Sequence, residues 1–298
     1  MSQSMMLLVN PVAGRTTSAA ALGAVIETFC ADGQHPTVYF TLGHGGATRI
    51  AAEHGAEYDR LVCMGGDGTL SETISGLMAI PPAQRPPLGY IAMGTTNDVA
   101  GTLQLPRGKP QAAARDILKG QQMPYDVGRF NDGHYFTYVA AFGAFTEVSY
   151  STDQDVKKAL GHAAYVLAGL TALPKLKSYK VKVEYDGGTI EEEMIFGACS
   201  NSTSVAGMIK LDKRVVTLSD GKFELVLVRT PRSLNDLSRI VNGLLQQEYD
   251  DDVMTILQTS HVKFTFEEPV PFTLDGENGG EHREAEITVL PRAVDFIL

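Results

Sequence analysis

The sequence predicts a two-domain chain, an α/β domain built on a parallel sheet and then a mainly antiparallel β-sandwich domain. Three observations carry this. At 298 residues the chain is long for a single core. Its first ~125 residues alternate short apolar runs with amphipathic stretches, the pattern of parallel strands joined by helices. After Asp126 the apolar period becomes 2, punctuated by turn residues at Asp186-Gly187-Gly188 and Asp220-Gly221. The domains expected are 1–126 and 127–286.

Element by element, Met5–Val9 is an apolar opening strand. Leu22, Val25, Ile26 and Phe29 recur at helical spacing and form one buried stripe. Thr37–Thr41, β-branched and aromatic, is a second strand, and Ala47–His54 is a helix ended by Gly55. Leu61–Met64 is a buried strand, followed by a helix carrying Leu70, Ile74, Leu77 and Met78. Leu88–Met93 is another strand. A short helix from Asn97 toward Pro106 and one over Gln111–Lys119 close this half. Beyond it, strands are expected at Tyr135–Phe142, Val181–Tyr185, Glu192–Ala198, Phe223–Val228, Val262–Phe266 and Glu286–Leu290. Helices are expected at Val156–Leu173 and Leu234–Gln247.

Composition narrows the function classes. Apolar residues at 44% and charged residues at 20% describe an ordinary globular protein. A net charge of −10 argues against a general nucleic-acid binder. No apolar run approaches the ~20 residues of a membrane-spanning helix. Cys30, Cys63 and Cys199 are scattered and odd in number, which fits a reducing cytoplasm better than a disulfide framework.

The strongest local feature is Gly65-Gly66-Asp67-Gly68-Thr69, between a buried strand and an amphipathic helix. Glycines let backbone approach a polyanion, and the N–H groups opening the next helix face phosphate oxygens. A carboxylate within such a loop would repel phosphate unless a divalent cation lay between, so Asp67 implies Mg²⁺. Asn10-Pro11-Val12-Ala13-Gly14-Arg15 and Gly94-Thr95-Thr96-Asn97-Asp98 also follow strands of this half. In an open α/β sheet ligands bind beyond the strands' carboxyl ends, so three polar, glycine-containing loops should converge there. Near the C-terminus, Asp275-Gly276-Glu277 puts two carboxylates on a turn that could accept a proton from an attacking hydroxyl; read alone, Asp-Gly is more often a plain hairpin pair. No P-loop, dinucleotide fingerprint, protein-kinase set or H-E-x-x-H metal motif occurs.

These four segments, in this order and over nearly the whole chain from Asn10 to about Arg292, resemble the diacylglycerol kinase catalytic-domain family of soluble lipid kinases. The resemblance implies a nucleotide-binding α/β domain like that of NAD kinase and phosphofructokinase, a β-rich second domain, and a last strand, about 287–298, returning to the first. It implies an ATP loop over Asn10, Pro11 and Gly14 with Arg15, and a further contact at Thr41. Gly65, Gly66, Asp67, Gly68, Thr69, Leu70 and Ser71 would cradle phosphates, with Thr95 and Asn97. Asp98 and Asp126 would support metal and loop. Glu277 would be the proton acceptor beside Asp275, with Asp67 acting through Mg²⁺ and water. Asp220 resembles a second, structural Mg²⁺ site completed by backbone carbonyls of Thr217 and Lys222. Two departures stand out: Ser71-Glu72 replaces the commoner Asn-Glu, and Leu211–Leu218 lacks the usual proline-containing segment.

The implied reaction moves the γ-phosphate of ATP to the hydroxyl of a membrane lipid. Diacylglycerol leads; phosphatidylglycerol, a sphingoid base and undecaprenol stay open, as do an NAD kinase and an inactive lipid or nucleotide sensor. Such a substrate implies a cytoplasmic enzyme in peripheral contact with the inner membrane face. Lys175–Lys182 together with Arg15 is the candidate contact, against the plainer reading of Lys175–Lys182 as a solvated strand face. A homodimer is the default assembly.

Overall fold

The computed structural model describes residues 4–13, 19–144, 177–205, 209–211 and 216–298. Gly14, Arg15, Lys157, Lys158, Lys175 and the helix expected at Val156–Leu173 lie outside the described residues. The chain folds as two compact units: Met1–Val127 with His134–Thr137 and Leu290–Leu298, and Gly128–Gly133 with Tyr138–Val289.

In the first unit, strands β1 (Met5–Val9), β2 (Thr37–Phe40), β3 (Arg60–Gly65) and β4 (Leu88–Ala92) form a parallel sheet in the order β2-β1-β3-β4. β1 and β4 are buried along their whole length and β3 along all but its first residue, which is why they read as unbroken apolar runs rather than alternating ones. The end of β15 (Glu277–Ile297) adds to this sheet, Phe296 pairing parallel with Leu88. Helix α1 (Ala19–Ala31) buries Val25 and Phe29. Helices α2 (Gly46–His54), α3 (Asp67–Met78), α4 (Asp98–Thr102) and α5 (Pro110–Lys119) complete the layers. Arginines tie helix ends to the sheet: Arg85 donates to the carbonyls of Ile80 and Ala293, and Arg60 to that of Ile117.

The second unit is mainly antiparallel. β7 (Val139–Gly143), β8 (Tyr179–Tyr185), β9 (Gly188–Ser200) and β14 (His261–Leu274) pair in a closed cycle: β7 with β9, β9 with β8, β8 with β14, β14 with β7. The long strands β9 and β14 make this possible, because different halves of each pair with different neighbours. Phe142 sits among the enclosed rings, its centroid 4.9 Å from Phe266 and 5.4 Å from both Phe264 and Phe272. β10 (Ser204–Val205) and β11 (Ile209–Lys210) pair antiparallel by themselves, while β12 (Phe223–Arg229) and β13 (Met254–Thr259) extend the sheet from β9. Helix α6 (Leu234–Gln246) is capped by Ser233, whose hydroxyl accepts the Asp236 N–H, and buries Ile240 and Leu244.

Several elements depart from expectation. The run Tyr135–Phe142 is two strands, β6 (His134–Phe136) and β7, because the chain changes unit at Thr137–Tyr138. β5 (Gln122–Phe130) was not expected; Pro124 and Gly128 interrupt its β signal. β13 was also unexpected, its Thr and Gln positions breaking the apolar alternation.

Candidate active site

Because β1, β3 and β4 are parallel neighbours, the loops after them open at one sheet edge. Hydrogen bonds then join them. The Asn10 N–H donates to the Met64 carbonyl (3.0 Å), and its side-chain amide donates to the Thr69 hydroxyl (2.9 Å). The same side chain accepts the Val12 N–H through Oδ1 (3.1 Å). Thr41, buried, is held by its N–H on the Val9 carbonyl.

The Gly65–Thr69 loop meets the Gly94 loop backbone to backbone. A Cβ on Gly94 would sit 2.8 Å from the Gly66 Cα, so neither position accepts a side chain without displacement. The Met93 N–H donates to the Gly65 carbonyl (2.7 Å). Asn97 takes φ 52°, which Asn tolerates, and its amide donates back to the Gly94 carbonyl (2.7 Å). The turn delivers the Asp98 N–H to Asp67 Oδ2 at 3.1 Å. Asp67 thus stands at the first turn of α3, bonded to the first residue of α4. Burial and the nearby Asp67 carboxylate push the Tyr90 phenol well above its ordinary range. Thr95 is exposed on the Gly94 loop, and Ser71 is half-buried within α3.

Glu72 belongs to the Ser71-Glu72 pair, and the sequence assigns it no role. Its carboxylate accepts the N–H groups of Gly45 (2.8 Å) and Ala47 (3.1 Å) at the start of α2 and lies 3.2 Å from His44 Nδ1. It therefore ties the segment after Thr41 to α3, and it neutralises the α2 N-terminus. Asp126 is buried in β5, where Oδ1 accepts the Arg292 N–H (2.7 Å) and secures the returning C-terminal strand.

In the second unit, Asp275 and Glu277 have different surroundings. Asp275 is buried at φ 51°, and its Oδ1 accepts the N–H groups of Tyr138 (2.9 Å) and Val139 (3.1 Å). Glu277 is exposed at the start of β15. One carboxylate braces the turn and the other faces solvent.

Among the described residues, Lys180 and Lys182 do not make a basic face. Lys180 and Lys182 on β8 stand opposite Glu193 and Glu191 of β9, and pair with Glu267 (3.4 Å) and Glu184 (2.9 Å). Cross-strand acids offset the charge at Lys180 and Lys182, so these two lysines fit the plainer solvated strand face, while Lys175 and Arg15 of the same expectation lie outside the described residues.

Among the described residues no three Asp, Glu, His or Cys side chains gather to cage a metal. Asp67 and Asp98 are hard oxygen donors beside the opening N–H groups of a helix. That donor set fits a cation sharing water and phosphate oxygens, as Mg²⁺ does, better than a protein-only cage. At the second position, Asp220 is exposed, and its Oδ1 accepts the Lys222 N–H (3.0 Å) in an Asx turn next to exposed Thr217. Nearby Glu224 is buried, which pushes its carboxyl up to about 7.

No helix among the described residues is long and apolar enough to cross a membrane. Residues 4–130 match the diacylglycerol kinase catalytic domain, and residues 139–298 match the YegS C-terminal NAD kinase beta sandwich-like domain. The chain is 34% identical over 276 residues to the diacylglycerol kinase of Bacillus subtilis (strain 168), covering 92% of this chain and 89% of that one. It is 32% identical over 280 residues to that of Staphylococcus carnosus (strain TM300), with 92% and 89% covered. A Bacillus anthracis str. Sterne crystal structure superimposes with TM-score 0.81 at 25% identity, over 99% of this chain and 96% of that one. Matched along both of its halves, this chain belongs to the diacylglycerol kinase family.

Proposed function

We propose that the protein transfers the γ-phosphate of ATP to the free hydroxyl of diacylglycerol, giving phosphatidic acid and ADP, with Mg²⁺ required. One observation carries the reading: three loops at one sheet edge are bonded into a single cradle, with Asp67 and Asp98 joined at its centre. Relatives named diacylglycerol kinase support the acceptor.

The first N–H groups of α3 and the Thr69 side chain hold the phosphates, and Asn10 and Thr41 fix the nucleotide side of the cradle. Asp67 and Asp98 would hold Mg²⁺ with water, and the ion would supply neutralisation of the charge building on the phosphates. Glu277 takes the hydroxyl proton as the oxygen bonds to phosphorus and ADP departs, a general-base contribution of about 10²–10⁴-fold. Asp275 positions rather than reacts. The protein works from the cytoplasm, touching the inner membrane face where its substrate resides.

The test is transfer of labelled γ-phosphate from ATP to diacylglycerol, phosphatidylglycerol, a sphingoid base and NAD in parallel, with Mg²⁺ or chelator. Labelled phosphatidic acid, lost with chelator and with Glu277→Ala, is expected. Labelled NADP, or label only on another lipid, would overturn the acceptor assignment.

A further inference from the structure

Just downstream of Glu277, β15 carries a break in register. Thr273 pairs with Asn278, but Pro271 pairs with Glu281, so Phe272 alone opposes both Gly279 and Gly280. This is a β-bulge with Gly280 at φ 85°, a conformation that glycine adopts without strain. A bulge withdraws its extra residue from the ladder and bends the strand, so it sets how the short segment Glu277–Asn278, paired with Leu274 and Thr273, is turned relative to the rest of β15. It also leaves backbone groups without their ladder partners, and something must hold them.

The Gly280 N–H is taken by Asn278 Oδ1 at 2.9 Å, and the structure assigns the Gly279 carbonyl to His282. Its Nε2 lies 2.8 Å from the Gly279 carbonyl; an oxygen there can only accept, so Nε2 carries the proton. Nδ1, left as the acceptor, faces the Asn131 amide nitrogen at 3.3 Å. Asn131 is in turn fixed, its Oδ1 accepting the Glu286 N–H at 2.7 Å. The ring also stands edge-on to Phe130, with centroids 5.1 Å apart. The imidazole thus has its tautomer set from one side and locks the bulge from the other. We propose that His282 is a positioning residue for phosphoryl transfer: it holds the Gly279–Gly280 bulge in the one shape that aims Glu277 at the acceptor hydroxyl. This rests on the reading of Glu277 as proton acceptor.

The test compares His282→Phe, which keeps the ring's packing without its nitrogens, with His282→Gln, which restores a donor within reach of Gly279. A misplacement of about 1 Å can cost about 10²-fold in rate. His282→Phe should therefore lose about 10- to 100-fold in kcat, with KM for ATP unchanged because the nucleotide loops belong to the other unit. His282→Gln should recover most of the loss. A kcat for His282→Phe equal to wild type would overturn the proposal, as would equal damage to kcat and to KM for ATP. Should His282→Phe fail to fold, His282→Gln decides alone: near-normal kcat supports the donor role, and a tenfold loss in a folded protein rejects it. Glu277→Ala separates the two claims. If that variant stays active, the base assignment fails; if it is dead while His282→Phe is normal, only the positioning role fails.

Discussion

Replacing Gly94 by alanine tests the contact on which the cradle depends. The added methyl would lie 2.8 Å from the Gly66 Cα and 2.7 Å from Asn97 Oδ1, whereas ordinary van der Waals contact begins at 3.4 Å. Backbone must then retreat by roughly 0.6 Å, the difference of those distances, and both neighbours belong to loops already held by hydrogen bonds. Overpacking of this kind costs about 1–3 kcal/mol, a loss of a few degrees in Tm. The functional loss should be larger, because the displaced atoms adjoin the loop proposed to cradle phosphate: about 10- to 100-fold in kcat. Gly23→Ala is the control, the same chemical change inside α1 with nothing within 4 Å, and should stabilise by about 0.5–1 kcal/mol. Melting curves and initial rates on the three proteins suffice. A Gly94→Ala enzyme with wild-type kcat and Tm would show that the two loops are not in contact, and the cradle would have to be abandoned.

Glu72→Ala strips two backbone N–H groups of their acceptor at the α2 N-terminus; it should cost about 1–2 kcal/mol by thermal melting and raise KM for ATP several-fold. An unchanged KM would confine Glu72 to stability. Asp275→Asn keeps an acceptor oxygen and tolerates φ 51°, so its urea midpoint should stay near wild type and kcat should fall less than tenfold. Asp275→Ala, losing both bonds in a left-handed turn, should cost about 2–4 kcal/mol. Loss of all activity in a stable Asp275→Asn protein would make Asp275 a reacting group after all. Thiol titration of the native protein should count one fast cysteine, Cys30: Cys63 and Cys199 are buried, and burial pushes the Cys63 thiol up to about 12. Three fast thiols would contradict the packing of β3 and β9.

Much of this molecule was legible in its sequence because the relevant physics is local. A buried parallel strand must be apolar throughout, so β1, β3 and β4 announce themselves within a residue or two of their ends. Gly65–Thr69 is equally plain, since glycines flanking an aspartate after such a strand have few other uses. What stayed hidden is long-range pairing. Lys180 and Lys182 form a basic run only along the chain; across the sheet their neighbours are glutamates, and no one-dimensional reading supplies that register. β5 was missed for the same reason, as pairing with β6 and β15 outweighs Pro124 and Gly128.

The same distinction separates groups that react from groups that position. Asp67, Asp98 and Glu277, the groups proposed to react, sit in short motifs because that chemistry needs particular neighbours: glycines to admit phosphate, a tight turn to present a carboxylate. Glu72 and His282 work through backbone atoms 25 or 27 residues away in one case and three in the other, and a backbone acceptor or donor has no residue identity to spell out. Only the bulge at Gly279–Gly280 hints at the need for His282, and the bulge itself is visible only once β14 and β15 are paired. Asp275 shows how the two kinds of group can be confused. It shares a three-residue motif with Glu277, yet its oxygen is committed to the Tyr138 and Val139 amides, 137 and 136 residues earlier in the chain. A motif therefore marks where the chemistry lies, while the hydrogen bonds of each carboxylate decide which of its members carries a proton and which carries the fold.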